Sequence, residues 1–171
     1  MKQLTLLSLF ALAAYAHAET TVTMTGVHNC CGSCSKGIVA AGTSVGKDIT
    51  IDAPAKTSTV KITTKKKSDA KKAVEAIIAA GYFGKVEGEE SASKSSADAK
   101  PAAKVKKATV SGVHLCCQKC ADAAIKAVKT VSGITTHDIA SKAKSFTVEG
   151  EFTKAELAAA LNEAGFAGDI K

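Results

Sequence analysis

The chain has 171 residues, of which 46% are hydrophobic but only 4% are aromatic, and it contains no Trp. Its formal net charge is +7, and every basic residue is a lysine. Proteins that read nucleic acids use arginine forks and aromatic stacking platforms, so this composition argues against a nucleic-acid partner. Ala, Val and Ile must build the core, which favours small α/β layers over a large enzyme cleft.

The first 18 residues are predicted to be a signal peptide. Lys2 precedes an apolar stretch, from Leu4 to Ala16, that is short for a bilayer span, and residues 16–18 read Ala-His-Ala, a small-x-small cleavage pattern. We expect cleavage after Ala18, no stable membrane insertion afterwards, and a periplasmic or secreted mature protein. A retained membrane anchor is the alternative.

The rest of the chain contains an internal repeat. The motif Gly-Val-His-x-Cys-Cys-x-x-Cys begins at Gly26 and again at Gly112, and its two copies hold all 6 cysteines. A strand of alternating polarity precedes each motif, and apolar residues at helical spacing follow it. Gly37 and Gly42 predict that the first of these helices is the weaker one.

The elements that follow also match between the halves. Two short strands around a polar turn are predicted in 48–64 and in 133–150, and a short closing strand ends each half. Clear helices are predicted over 68–83 and 153–166, with N-cap candidates Ser68 and Thr153, a capping box from Thr153 to Glu156, and C-terminal caps at Gly81 and Gly165.

The order strand, helix, strand, strand, helix, strand is the split βαβ arrangement. We therefore predict an α+β protein with two tandem ferredoxin-like βαββαβ domains, each with two helices on a four-stranded antiparallel sheet. The boundaries are a signal peptide at 1–18, a first domain at 19–89, a flexible Ser/Ala/Lys-rich linker at 90–107 and a second domain at 108–171.

Each Cys-x-x-Cys pair, Cys31 with Cys34 and Cys117 with Cys120, falls where a strand gives way to a helix. Free N–H groups at a helix start favour nearby negative charge and lower thiol pKa values. Two thiolates at such a bend can bind one soft ion, and Cu(I), Zn(II) and Hg(II) all suit them.

This arrangement resembles the heavy-metal-associated domain family of copper metallochaperones and of a periplasmic mercury-binding protein. The family loop reads Gly-Met-x-Cys-x-x-Cys, and the family's second helix ends in Ala-Gly-Tyr, which matches AAGYF at 79–83 and EAGF at 163–166. The resemblance implies one soft metal ion per domain, Cu(I) first and Zn(II) or Hg(II) as alternatives. It also implies a metal-transporting or metal-accepting partner protein, and no enzymatic activity.

The loops depart from the family pattern. Asn29 and Leu115 stand where the family has Met, and each loop is two residues longer. Cys30 and Cys116 add a third thiol to each site, and His28 and His114 are candidates for a fourth ligand. Three thiolates suit Cu(I), As(III), Pb(II) or Hg(II), whereas a Cys3His set favours zinc.

Other interpretations of the cysteines remain open. They could form structural disulfides, although three per half leaves one unpaired in each. They could serve a thiol–disulfide redox module, or bind a metal that only stabilises the fold. Our principal prediction is soft-metal binding for sequestration, trafficking or detoxification outside the cytoplasm.

Overall fold

The computed structural model describes residues 19–88 and 103–171, which form two domains of the same architecture. The first consists of β1 (Thr20–Thr25), α1 (Gly32–Thr43), β2 (Ile49–Asp52), β3 (Thr59–Thr64), α2 (Lys67–Ala79) and β4 (Lys85–Val86). The second consists of β5 (Val105–Ser111), α3 (Gln118–Lys129), β6 (Ile134–His137), β7 (Ser145–Phe152), α4 (Lys154–Glu163) and β8 (Asp169–Ile170). In these two ranges no helix combines the length and the apolar character that crossing a bilayer requires.

Each domain has a four-stranded antiparallel sheet, with strand orders β2-β3-β1-β4 and β6-β7-β5-β8. The first strand of each half is therefore central, and its apolar residues are buried: Met24 on β1 is fully buried and pairs with Val60 and Val86. The predicted ferredoxin-like fold class is confirmed. A central first strand matters for function, because the cysteine loop follows it directly.

The start of the second domain differs from the prediction. The sequence predicts a linker up to Lys107, but β5 already begins at Val105. Val105 pairs with Phe152 and Lys107 pairs with Glu149, whose carboxylate lies 3.0 Å from the Lys107 ammonium. Partners on β7 thus extend a strand that its own sequence pattern does not reveal. The predicted signal peptide and linker residues 90–102 lie outside the described residues.

The N-cap predictions for the longer helices have different outcomes. At α4 the capping box is confirmed: the Thr153 Oγ1 accepts from the Glu156 N–H at 3.2 Å, and the Glu156 carboxylate accepts from the Thr153 N–H at 2.9 Å. At α2 the prediction of Ser68 is wrong, because the N-cap is Lys66, which makes no side-chain cap. β3 ends at Thr64 and the chain turns at once into the helix, which places Ser68 inside the first turn.

The two glycines of α1 have packing roles. A Cβ at Gly37 would collide with the hydroxyl of Tyr82, and a Cβ at Gly42 would lie 2.7 Å from the Ile51 side chain and 3.2 Å from that of Ile77. The glycines do not shorten the helix, since α1 and α3 each have 12 residues. They allow α1 to lie close to its neighbours.

The two domains contact each other through the turns that end α2 and α4. Gly81 and Gly165 occupy these turns with φ of 91° and 81°, a left-handed conformation that favours glycine. A Cβ at Gly81 would lie 2.5 Å from the carbonyl oxygen of Gly112, and one at Gly165 would lie 2.5 Å from the carbonyl oxygen of Gly26. Each helix-ending turn therefore packs on the start of the other domain's cysteine loop.

Backbone hydrogen bonds between the domains stabilise this contact. The Gly165 carbonyl accepts from the N–H of Phe83 at 3.0 Å and from the N–H of His28 at 3.3 Å. In the opposite direction, the Gly81 carbonyl accepts from the Ala167 N–H at 3.0 Å. The contact is nearly symmetric, and these backbone hydrogen bonds involve no cysteine.

Candidate metal centre

The cysteine loops sit at the starts of α1 and α3. Cys31 and Cys117 are the N-cap residues, with extended φ of −158° and −151°, and Cys34 and Cys120 lie in the first helical turns. The last two are fully buried, whereas the N-cap cysteines are half-buried. This confirms the predicted placement of each Cys-x-x-Cys pair at a helix start, where unpaired N–H groups face the sulfurs.

Asn29 and Leu115, the residues that replace the family Met, hold the loops against the rest of each domain. The Asn29 amide donates to the carbonyl of Pro54 at 2.8 Å and to that of Ala53 at 3.3 Å. The backbone carbonyl of Asn29 accepts from the Lys56 N–H at 2.8 Å, and Leu115 is buried in the matching position. The Asn29 side chain therefore anchors its loop by hydrogen bonds within its own domain.

The structure brings the sulfurs of both loops together in one cluster. The Sγ of Cys34 lies 3.8 Å from that of Cys31 in its own domain, but 3.5 Å from Cys116 and 3.7 Å from Cys120 in the other. The Sγ of Cys30 lies 3.6 Å from that of Cys120. The cysteines predicted to form two sites are thus contiguous across the domain boundary, and all six are unbonded thiols.

The two candidate histidines both stack on an aromatic ring of the opposite domain. The His28 ring lies on Phe166 with centroids 4.4 Å apart, and the His114 ring lies on Tyr82 at 4.5 Å. One ring nitrogen of His28 is within 4.8 Å of the sulfurs of Cys30 and Cys120, close enough to share an ion with them. The Nε2 of each histidine is buried without a hydrogen-bond partner among the described residues.

The helix start lowers the pKa of a thiol, whereas burial raises it. The backbone N–H of Cys120 lowers the pKa of Cys117 to about 7, because it donates to the thiolate. Burial raises the pKa of Cys30 and of Cys116 to about 12. The contact between the sulfurs of Cys34 and Cys120 lowers the pKa of Cys34 and raises that of Cys120, since one thiol stabilises its partner's thiolate.

The environment of His28 suits a neutral ligand. Its burial lowers the pKa, with a smaller opposing effect from Cys34. A neutral imidazole can offer a lone pair to a metal ion, whereas the protonated ring cannot.

The donor set fits a soft metal ion. Every group of potential ligands in the described residues consists of cysteine sulfurs, with or without His28, and none contains a carboxylate. Thiolates prefer Cu(I), Zn(II) and related ions, whereas Mg²⁺ and Ca²⁺ need oxygen ligands. Metal binding would displace thiol protons, so the ion must compete with the raised pKa values of Cys30 and Cys116.

Four residues shape this centre although the sequence does not assign them to it. Tyr82 and Phe166 cover the histidines, and Gly81 and Gly165 admit the opposite loop. The repeated Ala-Gly-aromatic pattern did identify these positions as helix ends. The pattern could not reveal that each turn contacts the other repeat.

A comparison with protein families finds a match in the second half of the chain. The model of the heavy-metal-associated domain family matches residues 107–167, and no curated protein matches the chain. Among solved structures, the chain is similar to the N-terminal soluble domains of Bacillus subtilis CopA, with 14% identity, a TM-score of 0.31, and 90% of this chain and 95% of that chain covered. It is also similar to the first two RRM domains of the yeast poly(U)-binding protein Pub1, with 12% identity, a TM-score of 0.24, and 89% and 98% covered. The predicted resemblance is thereby confirmed for residues 107–167, which match the heavy-metal-associated domain family.

Proposed function

We propose that the chain binds soft metal ions, Cu(I) before Zn(II) or Hg(II), through the cysteines of both repeats. The observation that carries this proposal is the cluster of six half-buried or buried thiols at the starts of two helices. The cysteine groups that include no histidine offer sulfur alone, which favours Cu(I), whereas a zinc site of the Cys3His type would draw on His28.

The purpose of binding is sequestration or trafficking outside the cytoplasm. The predicted signal peptide supports export, and an exported thiol-rich protein can capture ions before they reach other targets. Ligand exchange through shared thiolates would pass an ion to a metal-accepting or metal-transporting partner protein. No bond of a substrate is made or broken in this role, so we propose a binding protein and not an enzyme.

Metal content of the mature protein, purified reduced and without oxygen, tests the proposal. We expect bound metal by mass spectrometry after separate exposure to Cu(I) and Hg(II), copper rather than zinc when Cu(I) and Zn(II) compete, and no bound metal in the variant with all six cysteines changed to Ser. Absence of metal from the wild type, together with rapid and reversible formation of a Cys31–Cys34 disulfide, would instead indicate a thiol–disulfide redox module.

The proposed location has its own test. Cleavage after Ala18 predicts a mature chain that begins at Glu19 and is recovered in the exported fraction. Intact mass measurement of that fraction identifies the first residue. An uncleaved chain in the membrane fraction would favour the retained anchor.

A further inference from the structure

The positions of the sulfurs make two independent metal sites difficult to build. Separate sites would use Cys31 with Cys34 and Cys117 with Cys120, but the Sγ atoms of Cys34 and Cys120 are only 3.7 Å apart. Ions bound at the two pairs would therefore lie within a few Å of each other. Cations that close repel strongly unless thiolates bridge them and share their charge.

The additional cysteine of each loop lies between its own pair and the other domain: the Sγ of Cys30 is 3.7 Å from that of Cys34, and the Sγ of Cys116 is 3.6 Å from that of Cys120. The Sγ of Cys30 lies 3.6 Å from that of Cys120 and 4.0 Å from that of Cys117. The Sγ of Cys116 lies 3.5 Å from that of Cys34. Cys30 and Cys116 are thus placed to bridge the two Cys-x-x-Cys pairs.

The spacing within each pair also favours bridging over linear binding. With a metal–sulfur bond of about 2.3 Å, two thiolates on opposite sides of one ion lie about 4.6 Å apart. The Sγ atoms of Cys31 and Cys34 are 3.8 Å apart, and those of Cys117 and Cys120 are 3.7 Å apart. Such distances suit an ion that has a third sulfur ligand. Further sulfurs from both domains lie within 4.8 Å of each pair.

Contacts that involve no cysteine also hold the two domains together. The reciprocal packing of Gly81 and Gly165, with the stacks of His28 on Phe166 and His114 on Tyr82, fixes the domains with their loops face to face. The thiols are therefore preorganised before any ion binds, so metal binding does not need to order the loops.

We propose that the six thiols form a single site between the domains, which holds a polynuclear Cu(I)–thiolate cluster in place of one ion in each domain. This inference rests on the proposed function. If each of the six sulfurs bridges two three-coordinate ions, the cluster accommodates about four Cu(I). The ions are then enclosed by both domains, and their release requires the domain contact to open.

Stoichiometry and cluster structure in the full mature chain test the proposal. Anaerobic Cu(I) titration followed by native mass spectrometry should show cooperative filling of the monomer to about four ions, with few intermediates. X-ray absorption at the copper edge should show copper neighbours at short range around each copper. Two ions per monomer without a copper–copper signal would overturn the inference and leave soft-metal binding intact.

Matched triple variants give a second, independent readout. One changes Cys30, Cys31 and Cys34 to Ser, and the other changes Cys116, Cys117 and Cys120 to Ser. Independent sites predict that each variant keeps half of the wild-type copper. A shared cluster predicts that each loses far more than half and shows no copper–copper signal.

The outcomes separate the two proposals. Failure of the wild type to bind any soft metal would contradict the proposed function itself. Retention of half the copper by each triple variant would contradict only the shared cluster. Circular dichroism of the variants, compared with the wild type, confirms that the serine substitutions leave the two domains folded.

Discussion

The backbone N–H of His28 donates to the carbonyl of Gly165, so the turn that ends α4 is attached to the cysteine loop of the opposite domain. A Cβ at position 165 would collide with that same N–H. We therefore expect Gly165→Ala to separate the domains, although it touches no cysteine. Small-angle scattering should show a larger radius of gyration, and the Cu(I) bound per chain should fall.

Gly88→Ala is the matched control for this experiment. Gly88 also has a left-handed φ, of 83°, but no atom lies within 4 Å of its Cβ position. It therefore carries the backbone strain of about 1–2 kcal/mol without the collision. Equal effects of Gly165→Ala and Gly88→Ala on the radius of gyration would show that the interface contact is not what holds the loops together.

The second prediction concerns the space between Gly37 and the hydroxyl of Tyr82. A Cβ at Gly37 would collide with that hydroxyl, which itself has no hydrogen-bond partner in the described residues. Gly37→Ala should gain about 1 kcal/mol of helix propensity but lose about 1–3 kcal/mol to overpacking. We expect a net loss in the free energy of unfolding, measured by urea denaturation.

The same substitution should cost less when the hydroxyl is absent. Tyr82→Phe removes an unsatisfied buried polar group, so by itself it should be neutral or stabilising by about 1 kcal/mol. Gly37→Ala in the Tyr82→Phe background should then lose less free energy of unfolding than in the wild type, since the nearest ring carbon lies 3.3 Å from the added Cβ. A loss of the same size in both backgrounds would mean that the hydroxyl does not explain the glycine.

The repeat made most of the fold predictable, since two copies of one pattern fix the order of elements twice. Thr153 was identified because its capping box is local in sequence. The sequence alone assigns Val105 to the linker. Its strand conformation depends on pairing with β7, which lies far along the chain. Strand pairing of this kind leaves no periodicity in the segment itself.

The candidate site was predictable residue by residue but not as a whole. Spacing identified Cys31 and Cys34 as a pair, because two positions at a helix start are close in any such loop. Nothing local indicates that Cys34 also contacts Cys116, since that distance depends on how two domains pack. The additional cysteines did not reveal it either, because Cys30 and Cys116 also lie 3.7 and 3.6 Å from Cys34 and Cys120 of their own loops, as a site within one domain requires.

The third prediction concerns the order in which the thiols react. The backbone N–H of Cys120 holds the pKa of Cys117 at about 7, whereas burial raises the pKa of Cys30 and of Cys116 to about 12. At pH 7 we expect iodoacetamide to modify Cys117 well before Cys30 or Cys116, with a rate that rises through pH 7. Peptide mapping by mass spectrometry measures each site.

Cu(I) should protect Cys117 in this experiment, because a metal-bound thiolate is a poor nucleophile towards the reagent. The Cys117→Ser variant shows whether the remaining thiols react independently. Rates for Cys30 that equal those of Cys117 at pH 7 would contradict the assigned difference in pKa.

The fourth prediction compares the two N-caps. Thr153→Ala removes the capping box of α4 and should lower the free energy of unfolding by about 1 kcal/mol. Lys66→Ser supplies a capping side chain to α2, which has none, and should raise the free energy of unfolding by up to about 1 kcal/mol. Thermal melting of the two variants tests both. A gain from Lys66→Ser smaller than the error would show that the tight turn after β3 prevents a serine cap.

The fifth prediction is the pH dependence of the same capping box. The backbone N–H and the hydroxyl of Thr153 lower the pKa of Glu156 in the folded chain below its value in the unfolded chain. The unfolded state therefore binds the proton more readily, so this stabilisation is complete above the unfolded pKa and is lost as the pH falls through the folded one. Glu156→Gln keeps a capping oxygen but cannot titrate. We expect the difference in melting temperature between wild type and Glu156→Gln to shrink as the pH is lowered through the acidic range, and a difference that stays constant would exclude the ionised carboxylate as the cause.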